Sequence, residues 1–112
     1  MSMETVAAWH TALNAKDVDG VVALCTDDVE IAGPRGAAHG HDVLRKWVES
    51  AGITLEPLRA WPRGDAVVVE QEARWDADPA VHEVFTVFTL RGRRIAAIAR
   101  FDDMEEALEA AG

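Results

Sequence analysis

Residues 83–103, EVFTVFTLRGRRIAAIARFDD, hold two apolar runs joined by Arg91-Gly92-Arg93-Arg94. The first run is rich in Val, Phe and Thr and the second in Ile and Ala. Branched and aromatic side chains favour extended backbone, and the short Gly-containing connection predicts a β-hairpin. Successive strand side chains point to opposite faces, so Val84, Thr86 and Phe88 share one face with Ile98, Arg100 and Asp102. Phe85, Val87, Ala97, Ala99 and Phe101 share the other. Both faces are largely apolar, and a sheet of that kind needs a cover on each side. In so short a chain its own helices are expected to supply one cover. A second subunit is expected to supply the other, which predicts a homodimer through the outer sheet face.

Working outward, Ala66–Trp75 alternates with Val67, Val69, Gln71, Ala73 and Trp75 on one face, and Val68, Glu70, Glu72 and Arg74 on the other. The charged side is expected to face outward, to solvent or the dimer rim. Ile53–Trp61 reads as a further strand in which Pro57 marks an edge position or a bulge. Pro62-Arg63-Gly64-Asp65 is a turn, and 76–80 is a loop. The first half of the chain is helical instead. Val6, Trp9, His10 and Leu13 recur at helical spacing over Ser2–Ala15, with Ser2 as N-cap. Asp17 is expected to cap a second helix that Gly20 weakens and whose stripe is Val21, Val22, Leu24 and Cys25. Asp27-Asp28 should break it before a short strand at Val29–Ala32, and 34–40 reads as a loop of small residues. Val43, Leu44, Trp47, Val48 and Ala51 return to helical period before Gly52, and Asp103 can cap a short acidic helix over Met104–Ala111.

The 112 residues are expected to form one domain, 1–112, around a single core, and the apolar fraction of 49% is that of a globular protein. A formal net charge of -9 repels phosphate backbones and anionic lipid, so neither nucleic acid nor membrane is an expected partner. Cys25 is the single cysteine, which rules out an internal disulfide and a cysteine metal cluster. His39 and His41 flank Gly40 without further ligands at a recognised spacing, so no metal site and no cofactor is expected. The N-terminus has no signal-peptide apolar region and no run reaches the length of a membrane span, so the expected location is the cytoplasm.

Helix, helix, short strand, helix and a run of antiparallel strands is an α+β order in which the sheet curls around the helices. The stretch Ala12–Leu24, followed by Asp27-Asp28-Val29, resembles the opening of the nuclear transport factor 2-like, or SnoaL-like, superfamily, nearest its ketosteroid isomerase branch. Gly40–Leu44 is similar to the start of that superfamily's third helix, and Arg91–Ile95 through Phe101-Asp102-Asp103 to its closing hairpin. The resemblance implies a cone-shaped curved antiparallel sheet wrapped on three N-terminal helices, a deep apolar cavity, and frequent homodimers through the outer sheet face. It specifies fold better than activity.

The catalytic residues of two branches do not carry over. The isomerase branch's tyrosine, proton-shuttling aspartate and second aspartate fall on Trp9, Gly33 and near Thr86; the epoxide hydrolase branch's set falls on Gln71, Ala73, Arg100, Ile31 and Gly33. An indole N–H cannot stabilise an oxyanion as a phenol does, and glycine offers no base. The expected inner wall is instead Trp9, Ile31, Val69, Val84, Phe88 and Ile98, with Arg100, Gln71 and Thr86 as its polar groups. Arg100 at the floor of an apolar cavity suits a carboxylate, enolate or other oxyanion; alternatively Arg100 and Asp102, two apart on one strand, pair with each other. His82 and Asp102 are the candidate proton carriers, His82 otherwise being an exposed residue near a strand start. His10 either lines the cavity or is a satisfied core histidine. The function that follows is binding of a small carbonyl-bearing or anionic hydrophobic ligand. The alternative is an isomerase, a cyclase such as a polyketide cyclase, or a hydrolase with a non-standard acid–base set.

Overall fold

The computed structural model describes residues 3–33 and 36–112, apart from the side chain of Pro79. Its elements run α1 (Met3–Asn14), α2 (Val18–Ala23), β1 (Cys25–Gly33), β2 (Gly36–His39), α3 (His41–Ala51), β3 (Ile53–Arg63), β4 (Ala66–Trp75), β5 (Asp78–Arg91), β6 (Arg94–Phe101) and α4 (Met104–Ala111). The six strands form one curved open sheet in the order β2-β1-β6-β5-β4-β3. Neighbours are antiparallel except β1 and β6, which run parallel.

The hairpin forms as its alternation predicts. Thr86 pairs with Arg100 and Phe88 with Ile98 on the inner face, while Phe85 pairs with Phe101 and Val87 with Ala99 on the outer. A register shift between Thr89 and Leu90 brings Ile95 into the core at 0% exposure. The helices α1, α2 and α3 bury Val6, Trp9, Leu13, Val21, Val22, Leu44 and Val48 against the inner face, where Val29, Val67, Ala73, Val84, Phe88 and Ile98 meet them.

Each helix starts or stops for a local reason. Asp17 accepts from the Gly20 amide at 3.0 Å and caps α2, and its carboxylate fills the space a Cβ on Gly20 would need. Gly20 therefore makes room for the cap as well as weakening the helix. Gly52 ends α3 in the left-handed region at φ 55°. Asp103 caps α4 through the Glu105 amide. The expected cap at Ser2 lies outside the described residues.

Four expectations change. Cys25 begins β1 instead of ending α2, and β1 runs through Asp27-Asp28, absorbing the pair with a register shift between Cys25 and Glu30. The expected small-residue loop contains β2, whose Gly36 to His39 pair with Gly33 to Glu30; Pro34 lies outside the described residues. β5 begins at Asp78, so most of the expected 76–80 loop is strand. Finally, the outer face has a cover from its own chain. Ala107 of α4, with Met104 and Leu108 beside it, packs on Ala66, Val68, Phe85 and Val87, so a partner is not needed to bury that part of the sheet.

Pro57 was expected at an edge or a bulge, and it has both. β3 is the last strand, and its register shifts between Pro57 and Arg59. Asn14, at the end of α1, closes on that edge. Its Nδ2 donates to Leu55 O and the Leu55 amide donates to its Oδ1, both at 2.9 Å, while Lys16 Nζ donates to Ile53 O at 2.9 Å. Glu70 faces outward, yet it is 7% exposed and accepts from Arg59 Nε at 2.9 Å, so it is an ion-paired wall residue instead of a solvated one. No helix among the described residues is long and apolar enough to cross a membrane.

Candidate functional site

Between the concave face and α3 lies a cavity of about 700 Å³. Trp9 of α1, Val43, Leu44 and Trp47 of α3, Ile53 and Leu55 of β3, Trp75 of β4 and Ile98 of β6 give it apolar walls. Ile31, Ala32 and Gly33 of β1 with Gly36, Ala37 and Ala38 of β2 line the end where exposed residues begin. Curvature produces the space: the β1–β2 end of the sheet and α3 enclose one end of the concave face, while α1 fills the other with side chains.

Arg100, Trp9 and Thr86 bring polar atoms to the wall, as do the indoles of Trp47 and Trp75. Arg100 reaches in from β6, its guanidinium carbon 5.8 Å from the Trp75 ring centroid, within cation–π range. Its Nε is buried with no hydrogen-bond partner among the described residues, and no carboxylate there pairs with it. Trp9 is 0% exposed, and its Nε1 is the second buried donor without a partner. The Trp9 ring stacks on Trp47 at 6.3 Å and meets Phe88 edge-on at 5.0 Å, which fixes where the indole can lie. Thr86, opposite Arg100 in the β5–β6 register, donates from Oγ1 to Gln71 Oε1 at 2.6 Å.

Behind this wall, Gln71 Nε2 lies 2.7 Å from His10 Nε2, and His10 Nδ1 lies 2.8 Å from Val6 O. Burial lowers the pKa of His10 from its usual 6.5, outweighing the Val6 carbonyl and the charge of Glu56, which raise it. A neutral ring suits both contacts. Nδ1–H donates to the carbonyl and Nε2 accepts from the amide.

Of the expected wall, the structure brings Trp9, Ile31, Ile98, Thr86 and Arg100 together at the cavity. Gln71 is on the expected face, but it does not line the cavity, and both ends of its amide bond to protein groups. Val84 and Phe88 are packed into the core beneath α1, and Val69 borders a smaller recess beside Pro57 and Leu58. Arg100 and Asp102 do not pair: Asp102 is exposed past the end of β6. His82 is exposed too, 3.3 Å from Asp78 Oδ2 and edge-on to Trp75, and it does not line the cavity. His10 is a satisfied core histidine. Trp47 and Trp75, which the expected wall did not include, also line the cavity; their inward positions were visible in the periodicity of α3 and the alternation of β4.

The buried thiol of Cys25 is pushed up to about 12 by burial, which makes it a weak nucleophile and metal ligand. Among the described residues no group of three or more His, Cys, Asp or Glu side chains could hold a metal ion.

Comparison with solved structures finds the same architecture widely. A nuclear transport factor 2-like protein from Cytophaga hutchinsonii superposes with a TM-score of 0.83 at 13% identity, over 96% of this chain and 95% of that one. A cystatin-fold protein from Novosphingobium aromaticivorans gives 0.79 at 26% identity, over 90% and 98%. TerC, co-crystallised with polyporic acid, gives 0.77 at 21% identity, over 97% and 96%. Comparison with curated protein sequences finds no match. A family model, the SnoaL-like domain, matches residues 6–98, and so the chain belongs to the SnoaL-like domain family.

Proposed function

We propose that the cavity binds a small, largely apolar molecule through an anionic or carbonyl oxygen, with Arg100 and Trp9 as the donors that meet it. The observation that carries this reading is that Arg100 Nε and Trp9 Nε1 are both buried without a partner among the described residues, and both residues line one cavity. An unmet buried donor costs about 1–3 kcal/mol, more when charged, so two on one apolar wall are best explained by a ligand that satisfies them. The co-crystallisation of TerC with polyporic acid supports small-molecule binding by this fold.

A catalytic role would need a group that exchanges protons near neutrality. The polar groups among the described lining side chains are the indoles of Trp9, Trp47 and Trp75, the Thr86 hydroxyl and the Arg100 guanidinium, and none of them does so. Binding without side-chain acid–base chemistry is therefore the reading preferred over an isomerase, cyclase or hydrolase.

Two copies are further proposed to pair through the outer sheet face, over the part α4 leaves open, where Val81 is 48% exposed and Ala97, Ala99 and Phe101 are half-buried. Sedimentation equilibrium should give twice the mass of one chain, and Val81→Asp should shift the protein towards the monomer.

The binding reading is tested by calorimetric titration with 2-naphthylacetate, an apolar ring system bearing one carboxylate. Arg100→Leu should weaken binding by roughly 10- to 100-fold, the value of a charged hydrogen bond, without lowering Tm. Equal affinity with a lowered Tm would make Arg100 a structural residue.

A further inference from the structure

We infer that Thr86 faces the ligand as a hydrogen-bond acceptor only, so that the ligand carries a hydroxyl beside the oxygen bound by Arg100. This rests on the binding reading above and names the chemical class of molecule that fits: a hydroxy acid, or a hydroxyl-bearing carbonyl compound, on an apolar frame.

The direction of every hydrogen bond behind the wall is set by one backbone carbonyl. Val6 O can only accept, so the proton on the His10 ring sits on Nδ1, 2.8 Å away. In a neutral imidazole the other nitrogen then has a lone pair and no proton. His10 Nε2 must accept, which turns the nitrogen of the Gln71 amide towards it at 2.7 Å. The amide oxygen consequently faces Thr86 and takes its hydroxyl proton at 2.6 Å. His10 is 3% exposed and Gln71 0%, so their contacts are made within the protein, and Thr86 is the member of the chain that lines the cavity. Thr86 has one proton and has committed it, so its oxygen has only lone pairs left.

Thr86 lies directly opposite Arg100 in the β5–β6 register, and both line the cavity. A ligand that brought only an oxyanion to Arg100 would set it beside the lone pairs of the Thr86 oxygen. A hydroxyl next to the oxyanion relieves that contact and supplies the proton the oxygen can accept. Gln71 and His10 are positioning residues: they touch no ligand, and they fix which way Thr86 points.

The test compares 2-naphthylacetate with its α-hydroxy and α-methoxy derivatives by calorimetry. The hydroxy compound should bind about fivefold tighter than the parent, the size of one neutral hydrogen bond, and the methoxy compound no tighter, because it has no proton to give. Thr86→Val should bring the hydroxy-to-parent ratio to about one, and Thr86→Ser should keep it. Gln71→Leu frees the hydroxyl proton and should shift the preference towards the methoxy compound. If the three compounds bind equally and all depend on Arg100, the inference is overturned while the binding reading stands. If none binds, the binding reading falls and takes the inference with it.

Discussion

The guanidinium of Arg100 rests over the ring of Trp75, 5.8 Å from its centroid, while its buried Nε has no hydrogen-bond partner among the described residues. An aromatic face attracts a cation by about 0.5–2 kcal/mol and leaves its N–H groups unoccupied. Holding a partly buried charge this way costs stability that an apolar side chain would not. Arg100→Met, similar in reach, is therefore expected to raise Tm by about 4 °C or more, corresponding to roughly 1 kcal/mol in a chain of this size. A thermal scan of the ligand-free protein decides it, and a fall in Tm would mean that the guanidinium stabilises the fold.

Acidification should act through His10. Its folded pKa lies below 6.5 because burial opposes the charge, so the unfolded chain takes up a proton at a pH where the folded chain does not. Unfolding then binds protons, and the stability associated with the neutral ring is fully present above 6.5 and lost as pH falls from there towards the depressed folded value. Urea midpoints should be flat above about pH 7 and decline below it, and His10→Gln should flatten that decline. An unchanged slope in the variant would assign it to other groups.

Asn14 contributes through the two hydrogen bonds its amide exchanges with Leu55. Asn14→Ala removes both partners and should cost about 1–3 kcal/mol, read as a lower urea midpoint with an unchanged m-value. Asn14→Asp keeps the acceptor but sets a carboxylate oxygen against Leu55 O, so it should cost at least as much as the alanine variant.

Ala107 is 0% exposed where α4 meets Val68, Phe85 and Val87. A carboxylate there has no partner, and Ala107→Glu should detach the helix at a cost of at least about 2 kcal/mol. Binding of a hydrophobic dye should rise as the outer face is uncovered. An unaltered dye signal would show that the helix is not the cover.

Elements that depend on a strong local period were legible in the sequence. Val6, Trp9, His10 and Leu13 are the buried residues of α1 as their spacing requires, and the hairpin faces follow alternation up to the register shift at Thr89 and Leu90. β2 was not legible, because Gly36-Ala37-Ala38-His39 has no strand preference of its own and is extended by pairing with β1. Asp27-Asp28 looked like a breaker, yet exposed strand positions tolerate the pair once β6 holds β1 in place. At the site, alternation gave the correct side for Gln71, Val84 and Phe88 but not their depth. Which inward residues meet a helix and which meet open space depends on how the sheet curves, and that is a property of the whole assembly. The His10–Gln71–Thr86 chain was hidden for the same reason, since it joins three elements that no sequence spacing relates.

An open sheet ends in a strand whose spare amides and carbonyls could recruit another chain and seed fibrils. Along the first half of β3 that outlet is blocked. Lys16 occupies Ile53 O, Asn14 occupies both backbone groups of Leu55, and Pro57, next in the same alternation, has no amide hydrogen to offer. The turn leaving the first helix thus acts as a stopper against end-to-end stacking, and a variant lacking Asn14 should form thioflavin-positive deposits on prolonged heating sooner than the parent protein.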